Sequence, residues 1–181
     1  HWNVGWGGST VDDIGFTEAL MDSLIATYSI DNNRIYSTGM SNGGFMSYQL
    51  ACELSNRIAA IASVTGSMNI GWFNSCNPNH QMPVMEIHGT SDLIVLYTAS
   101  SYTESIPDIM NFWVNFNNCN STSIVTNVSD INIMDGCTAE HQIWENGDNG
   151  ATVEHFKIIG GSHTWPGTLF ASAGTNYDIN A

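Results

Sequence analysis

The sequence contains few basic residues: 3 Lys and Arg residues stand against 17 Asp and Glu residues, which gives a net charge of −14. A protein with this charge repels nucleic-acid phosphates and anionic lipid headgroups, so we expect neither nucleic acid nor a membrane as a partner. The sequence also lacks an uninterrupted apolar stretch of about 18 residues, the length that a membrane-spanning helix needs. These absences predict a soluble protein, but they do not name its substrate.

Cysteine is also scarce. The 4 cysteines, Cys52, Cys76, Cys119 and Cys137, show no C-x-x-C spacing of the kind that binds metals, so we expect disulfide bonds and no metal. Three pairings are open to them, and we prefer the pairing of neighbours, which closes two short loops. Together with the scarcity of lysine and the abundance of asparagine, paired cysteines predict a secreted, extracellular protein.

A chain of 181 residues that is 43% hydrophobic is long enough for one core, so we expect a single domain over residues 1–181. Short apolar runs typical of strands alternate with helical patterns, which predicts an α/β fold with a mostly parallel sheet and helices on both faces. The predicted strands are 34–38, 58–64, 84–88, 123–133 and 152–159, and the predicted helices are 10–28, 45–54 and 109–116. A turn is predicted at 146–150.

The first of these helices has a clear start signal at Thr10, which is followed by two aspartates. Its apolar residues have roughly helical spacing and are predicted to form one buried stripe. These residues are Phe16, Leu20, Met21, Leu24, Ile25 and Tyr28.

The segment from Gly39 to Gly43 matches G-x-S-x-G and lies between a predicted strand and a predicted helix. In that position the small residues allow a turn sharp enough to expose Ser41 above the sheet, as a nucleophile requires. The backbone N–H of Asn42 then faces the negative charge that develops on a substrate carbonyl oxygen. We therefore predict Ser41 as the nucleophile and Asn42 as an oxyanion donor.

Asp92 and His163 each follow a later predicted strand, in the order Ser, Asp, His that accompanies this motif. We predict Asp92 as the acid that orients His163, and His163 as the base that takes the proton from Ser41. His88 is a rival histidine, but it ends an apolar strand and is predicted to be buried and structural. Trp165, beside the base, and Trp72 are candidate walls of a substrate pocket.

Several segments resemble the group of small secreted α/β-hydrolases that contains polyhydroxybutyrate depolymerases, feruloyl esterases and acetylxylan esterases. They are VDDIGF at 11–16, RIYSTGMSNGG at 34–44, IHGTSD at 87–92 and HTWPG at 163–167. The resemblance implies ester hydrolysis through an acyl-enzyme, with Ser41, Asp92 and His163 as the triad and no cofactor. It also implies disulfide bonds from Cys52 to Cys76 and from Cys119 to Cys137.

The chain departs from this group at its beginning, because the group has further strands and a His-Gly oxyanion loop before the segment that starts here at His1. We therefore expect the single domain to lack its N-terminal portion. The expected substrates are acetyl or feruloyl esters of plant polysaccharide, whether small or polymeric. A polyhydroxyalkanoate depolymerase and a catalytically silent carbohydrate-binding protein are the alternatives.

Overall fold

The computed structural model describes residues 1–5, 8–169 and 172–181. The helices are α1 (Asp13–Thr27), α2 (Asn42–Glu53), α3 (Ile70–Phe73) and α4 (Ile106–Phe116). The strands are β1 (Tyr36–Met40), β2 (Ala60–Val64), β3 (Val84–Gly89), β4 (Ile124–Asn127), β5 (Thr138–Trp144) and β6 (Val153–Ile159). A short 3-10 helix at Asp148–Gly150 connects β5 to β6. Within the described ranges, no helix is long and apolar enough to cross a bilayer.

The six strands form one sheet in the order β1-β2-β3-β6-β5-β4. The strands β1, β2, β3 and β6 are parallel, whereas β5 pairs antiparallel with both β6 and β4. The carboxyl ends of the four parallel strands therefore lie along one edge, which we call the carboxyl edge. The loops that leave this edge carry Ser41, Asp92 and His163. The predicted mostly parallel α/β sheet is confirmed, and its topology gathers three distant segments.

The main hydrophobic core lies on one face of the sheet and receives side chains from all four helices. At its centre, Trp113 of α4 is fully buried and stacks on Tyr48 of α2, with the ring centroids 6.5 Å apart. A smaller cluster around Val64 and Ile158 lies on the other face, where Trp165 of the C-terminal segment packs. Within the described residues no helix joins this second cluster, because the segment after β6 crosses that face as irregular chain. The prediction of helices on both faces is therefore correct for one face only.

Helix α1 differs from its prediction at both its start and its buried face. The residue that caps it is Asp12, not Thr10, and the Asp12 carboxylate accepts a backbone N–H of the first turn. Four of the six apolar residues of the predicted stripe are exposed: Phe16, Leu20, Leu24 and Tyr28. These four follow a line of i, i+4 positions, whereas Met21 and Ile25 lie on the face that packs against the core. The prediction of one buried stripe is wrong because it merged two faces of the helix.

The predicted strand boundaries are also wrong between α4 and β6. The strand predicted over 123–133 is reduced to β4, and β5 has no counterpart in the prediction. The sequence of β5 mixes polar residues such as Glu140 and Gln142 with apolar ones, and most of its residues are only partly buried. An alternating apolar pattern is therefore weak in this antiparallel strand. The turn predicted at 146–150 is present, with Asn146 and Asn149 in the left-handed conformation at φ 63° and 57°.

Cys52 of α2 forms a disulfide bond with Cys76, with the two Cα atoms 5.1 Å apart, so this predicted pair is present. Cys119 and Cys137 are free thiols, and the second predicted pair is wrong. Cys137 directly precedes β5, whereas the Cys119 thiol lies 3.7 Å from the carbonyl oxygen of Ala151, beyond the other end of that strand. A strand of this length spans roughly 20 Å. A disulfide bond requires Cα atoms within about 7 Å of each other.

His155 of β6 is a buried base, only 2% exposed. Its Nδ1 lies 3.0 Å from the Glu86 carbonyl oxygen, and its Nε2 lies 3.0 Å from the Tyr97 hydroxyl. Because a carbonyl oxygen only accepts hydrogen bonds, Nδ1 carries the proton and Nε2 accepts from the phenol. Burial lowers the pKa of His155 to about 4, so the ring is neutral at neutral pH.

This buried ring predicts a pH-dependent stability. The unfolded chain protonates His155 below about pH 6.5, whereas the folded protein excludes that proton until about pH 4. The contribution of His155 to the free energy of unfolding is therefore fully present above the unfolded pKa. It is lost as the pH falls toward the folded value, by about 3 kcal/mol in total.

The measurement is denaturant unfolding at several pH values across this window, for the unaltered protein and for His155→Gln. Glutamine keeps a donor and an acceptor but does not titrate. The stability of the variant should therefore depend less steeply on pH. The same pH dependence in both proteins would contradict the assignment.

Candidate active site

Ser41 occupies the sharp turn between β1 and α2. Its φ of 55° and ψ of −118° fall in a region that residues other than glycine rarely adopt. Two backbone hydrogen bonds hold this conformation. The Ser41 N–H donates to the Val64 carbonyl oxygen over 2.9 Å, and the Ser41 carbonyl oxygen accepts from the Phe45 N–H over 3.0 Å. The end of β2 and the first turn of α2 thus fix the strained residue at the carboxyl edge.

Two glycines provide the space for this turn. A Cβ atom on Gly39 would lie 2.6 Å from the carbonyl carbon of Gly43, and one on Gly44 would lie 2.6 Å from the Ser63 hydroxyl oxygen. Such distances are too short for carbon contacts, so α2 can approach β1 and β2 this closely only where side chains are absent. A Cβ atom on Gly43 itself would meet open space.

Asp92 follows β3, and only 2% of it is exposed. Its Oδ1 accepts from the N–H groups of Ile94 and Val95 over 2.8 and 2.9 Å, and its Oδ2 accepts from His163 Nδ1 over 2.7 Å. Burial by itself raises the pKa of Asp92. The hydrogen bonds from His163 and the two N–H groups lower this pKa by more than burial raises it, so the net shift is downward. The carboxylate stays ionised and holds His163 in the tautomer with a proton on Nδ1.

His163 lies on the loop after β6, which is bound directly to the Asp92 loop. The Ser91 N–H donates to the Gly161 carbonyl oxygen over 2.9 Å, which joins the two loops just before Asp92 and His163. Because Nδ1 donates to Asp92, Nε2 is the ring nitrogen that is left to accept a proton. The side chain is 18% exposed, so a substrate can reach it.

The structure joins two of the three predicted catalytic side chains and places the third at the same edge. Asp92 and His163 are hydrogen-bonded, whereas no hydrogen bond within the described residues joins Ser41 to His163. The strands β1 and β6 are separated by β2 and β3, so the loops have roughly 14 Å to span. In enzymes without substrate, such catalytic contacts are often longer than in the reacting complex.

Asn42 begins α2 and fixes the start of the chain with its side chain. Its Oδ1 accepts from the Trp2 N–H over 2.6 Å, and its Nδ2 donates to the Trp2 carbonyl oxygen over 3.0 Å. Its backbone N–H is one of the first four of a 12-residue helix, which have no acceptor within the helix. An N–H group in this position attracts negative charge.

The family comparison agrees with this arrangement. Residues 12–129 match the model of the phospholipase and carboxylesterase family, over a stretch that includes Ser41 and Asp92 and covers more than half of the chain. The chain belongs to the phospholipase/carboxylesterase family.

Several relatives of this chain are named esterases. Feruloyl esterase B of Piromyces equi is 29% identical over 175 residues, which are 90% of this chain and 31% of the relative. A bifunctional acetylxylan esterase/xylanase of Neocallimastix patriciarum is 26% identical over 165 residues, 88% of this chain and 23% of the relative. The chain thus spans less than a third of the length of these curated relatives.

Among solved structures, an acetyl xylan esterase from Aspergillus awamori superposes with a TM-score of 0.62 at 14% identity, over 83% of this chain and 61% of that one. This likeness concerns the fold alone. The predicted α/β-hydrolase fold and the predicted resemblance to feruloyl and acetylxylan esterases are confirmed.

In this carboxylesterase-family chain, the tryptophans predicted to line the substrate pocket pack against the two hydrophobic clusters. Trp165 packs against the second cluster, and its indole N–H donates to the Ala181 carbonyl oxygen over 2.7 Å. Trp72 is partly buried against the main core. The contacts that the described residues show for these side chains are thus with the core, and substrate binding by either one stays a prediction.

A pocket of about 620 Å³ lies beside the Asp92 loop, and the sequence prediction missed it. Its lining includes Leu93, Ile94, Leu96, Tyr102 and Asn69. Leu93 and Ile94 are 83% and 73% exposed, which is unusual for adjacent large apolar residues and indicates a binding surface. The sequence signal for it is the apolar run directly after Asp92.

No group of three or more His, Cys, Asp or Glu residues in the described ranges is placed to bind a metal.

The close approach at Gly39 predicts a specific instability. In Gly39→Ala the new methyl group meets the Gly43 backbone, which cannot move without displacing Ser41, so we expect the free energy of unfolding to fall by about 2–4 kcal/mol. The matched control is Gly43→Ala, whose methyl group meets open space and should change stability by less than about 1 kcal/mol. Urea unfolding measures both variants. Equal losses in the two would show that the approach of α2 to β1 does not depend on Gly39.

Proposed function

We propose that this chain hydrolyses carboxylic esters through an acyl-enzyme on Ser41, with His163 as the base and Asp92 as the acid that orients it. The observation that carries the proposal is the 2.7 Å hydrogen bond from His163 Nδ1 to Asp92, on the sheet edge where Ser41 is held in a strained turn. A histidine base oriented by a carboxylate, next to a serine exposed on a sharp turn, is the arrangement that activates a serine hydroxyl in α/β-hydrolases.

Acylation begins when the Ser41 oxygen attacks the ester carbonyl carbon and His163 Nε2 takes the hydroxyl proton. The positive charge on the ring is then stabilised by the Asp92 carboxylate. The oxyanion receives a hydrogen bond from the Asn42 N–H at the start of α2. As the bond between the carbonyl carbon and the alcohol oxygen breaks, His163 returns the proton to the leaving alcohol.

Deacylation repeats these steps with water as the nucleophile. His163 takes a proton from the water, the hydroxide adds to the acyl carbon, and Ser41 leaves with the proton that His163 returns. The products are a carboxylic acid and the regenerated serine. This sequence needs no redox step, and its only co-reactant is water.

The proposed substrates are acetyl or feruloyl esters of plant polysaccharide, supported by the relatives named feruloyl esterase and acetylxylan esterase/xylanase. The pocket beside Asp92, at about 620 Å³, has room for an aromatic acyl group as well as for an acetyl group. The disulfide bond between Cys52 and Cys76 supports secretion, because such bonds persist in oxidising compartments.

The nucleophile is tested by labelling with a fluorophosphonate, which forms a covalent bond with an activated serine. We expect one label on the unaltered protein and none on Ser41→Ala, and hydrolysis of p-nitrophenyl acetate by Ser41→Ala should be lower by at least about a thousandfold. The matched control is Ser101→Ala, an exposed loop serine, which should keep both label and rate. A folded protein that is never labelled at Ser41 would instead support a silent carbohydrate-binding role.

The substrate class is tested by comparing kcat/KM for acetyl, butyryl and feruloyl esters with that for a short polyhydroxyalkanoate oligomer. We expect acetyl or feruloyl esters to be preferred, since the relatives carry those names. Each rate is compared with that of Ser41→Ala on the same substrate. Preference for the polyester oligomer would contradict the proposed substrate while leaving ester hydrolysis intact.

A further inference from the structure

A second acid–histidine pair lies directly behind Asp92. Glu86 and His88 are neighbours on one face of β3, and both are completely buried, with 0% exposure. The Oε1 of Glu86 lies 2.9 Å from Nδ1 of His88. Burying an ionisable pair is costly unless its members are matched by other polar groups. The groups that the buried pair contacts therefore offset the cost of its burial.

His88 is connected to Asp92 through one residue of the loop. Its Nε2 lies 2.9 Å from the Val95 carbonyl oxygen, and the N–H of Val95 donates to Asp92 Oδ1 over 2.9 Å. The same Nε2 is 3.6 Å from Asp92 Oδ2, the oxygen that accepts from His163. His88 thus holds the peptide that binds one oxygen of Asp92 and faces the other oxygen directly.

The contacts also locate the protons of the pair. Because the Val95 carbonyl oxygen only accepts, Nε2 of His88 carries a proton, and the proton between Nδ1 and Glu86 belongs to one of these two partners. The Tyr48 hydroxyl donates to the other Glu86 oxygen over 2.8 Å, which favours the carboxylate. The nearby Asp92 carboxylate favours a positive ring. Burial lowers the pKa of His88, but the hydrogen bond and charge of Glu86 outweigh burial, so the net shift of the His88 pKa is upward. Burial also raises the pKa of Glu86, against the hydrogen bonds from His88 and Tyr48. We place the proton on His88 because its ring also faces the Asp92 carboxylate at 3.6 Å.

Among the described residues, the titratable side chains packed around the His88 ring carry no positive charge of their own. The titratable side chains that face it come from α2, β3, the loop after β3 and β6: Tyr48, Glu86, Asp92, Tyr97 and His155. Of these, Tyr97 remains a neutral phenol, because burial raises its pKa to about 12. His155 is neutral, as described above. Beyond them, Lys157 and Glu140 form an ion pair of 3.6 Å on the partly exposed side of β5 and β6.

We propose that the buried Glu86–His88 pair positions the Asp92–His163 dyad, by fixing the loop of Asp92 through Val95 and by placing a positively charged ring behind the Asp92 carboxylate. The inference rests on the proposed function in that His163 is taken as the base of the reaction. In this arrangement the positive ring partly neutralises Asp92, which sets how strongly Asp92 holds a proton on His163. Both side chains are completely buried, and no hydrogen bond within the described residues joins either of them to Ser41, so Glu86 and His88 are positioning residues.

The proposal predicts the effect of Glu86→Gln. The glutamine amide can donate to Nδ1 and accept from Tyr48, so the hydrogen-bonded framework is kept, but the ring becomes neutral. Asp92 then loses the positive charge at 3.6 Å and binds the protonated form of His163 more strongly. The pH at which the His163 ring takes up its second proton should rise by about half to one pH unit. The acid side of the kcat profile should move by the same amount.

The experiment follows the histidine rings by nitrogen-15 NMR from about pH 5 to pH 8. In the unaltered protein, His88 should show two protonated nitrogens throughout, whereas one protonated nitrogen would overturn the proposal even if Glu86→Gln does not fold. In folded Glu86→Gln, the titration of His163 should move upward. The matched control is His155→Gln, a buried histidine on the adjacent strand, which should leave that titration in place. An unmoved His163 in Glu86→Gln, or an equal movement in His155→Gln, would also overturn it.

This design separates failure of the inference from failure of the proposed function. The titration of His163 is observed without substrate, so it can be scored in a protein that hydrolyses nothing. The rate with p-nitrophenyl acetate is measured on the same samples. A moved titration with no Ser41-dependent hydrolysis would contradict the esterase proposal alone, whereas normal hydrolysis with an unmoved titration would contradict the positioning role alone.

Discussion

The Asp92 carboxylate connects more of the site than any other group that the structure describes. It is almost completely removed from water, yet it carries a charge, and that is stable only because both of its oxygens are occupied. Two backbone N–H groups of its own loop hold one oxygen, and His163 holds the other. The same hydrogen bonds therefore fix the position of His163, the shape of the 92–95 turn and the ionised state of Asp92.

The hydrogen-bonded arrangement of Asp92 and His163 depends on parallel strand pairing. Since β3 and β6 run side by side in the same direction, the residues that follow them emerge next to each other, and Ser91 can bind Gly161 before Asp92 reaches His163. Ser41 arrives at the same edge from β1, two strands beyond β3. Its turn is strained, but the strain is confined by hydrogen bonds to β2 and α2. The sheet thus supplies the precision that loops alone would lack.

The parts of the fold that could be predicted are those with a strong local signal. The parallel strands are short apolar runs bounded by loop residues, and the positions of Ser41, Asp92 and His163 follow from what comes after each run. The pattern is weak in β5, where Glu140 and Gln142 interrupt the apolar residues of an antiparallel strand. For α1, spacing alone could not distinguish the face that packs on the core from the exposed face.

The cysteine pairing shows a different limit of the sequence. Both predicted pairs are neighbours along the chain, but only Cys52 and Cys76 are neighbours in space. In space, Cys137 lies at one end of β5 and Cys119 lies beyond the other end, so the length of this strand keeps the two thiols apart. Order along the chain could not predict this, because a disulfide bond depends on the distance between two cysteines in the fold.

The two buried histidines show why burial alone does not decide the charge of a side chain. His88 and His155 lie on adjacent strands and are 0% and 2% exposed, so desolvation disfavours the charged form of both. His155 faces a carbonyl oxygen and a phenol, neither of which carries charge, and the effect of burial lowers its pKa. His88 faces the carboxylates of Glu86 and Asp92, and there the effect of burial is outweighed. The partners of each ring, set by which strand carries which residue, determine that the positive charge stands behind Asp92 and not one strand away.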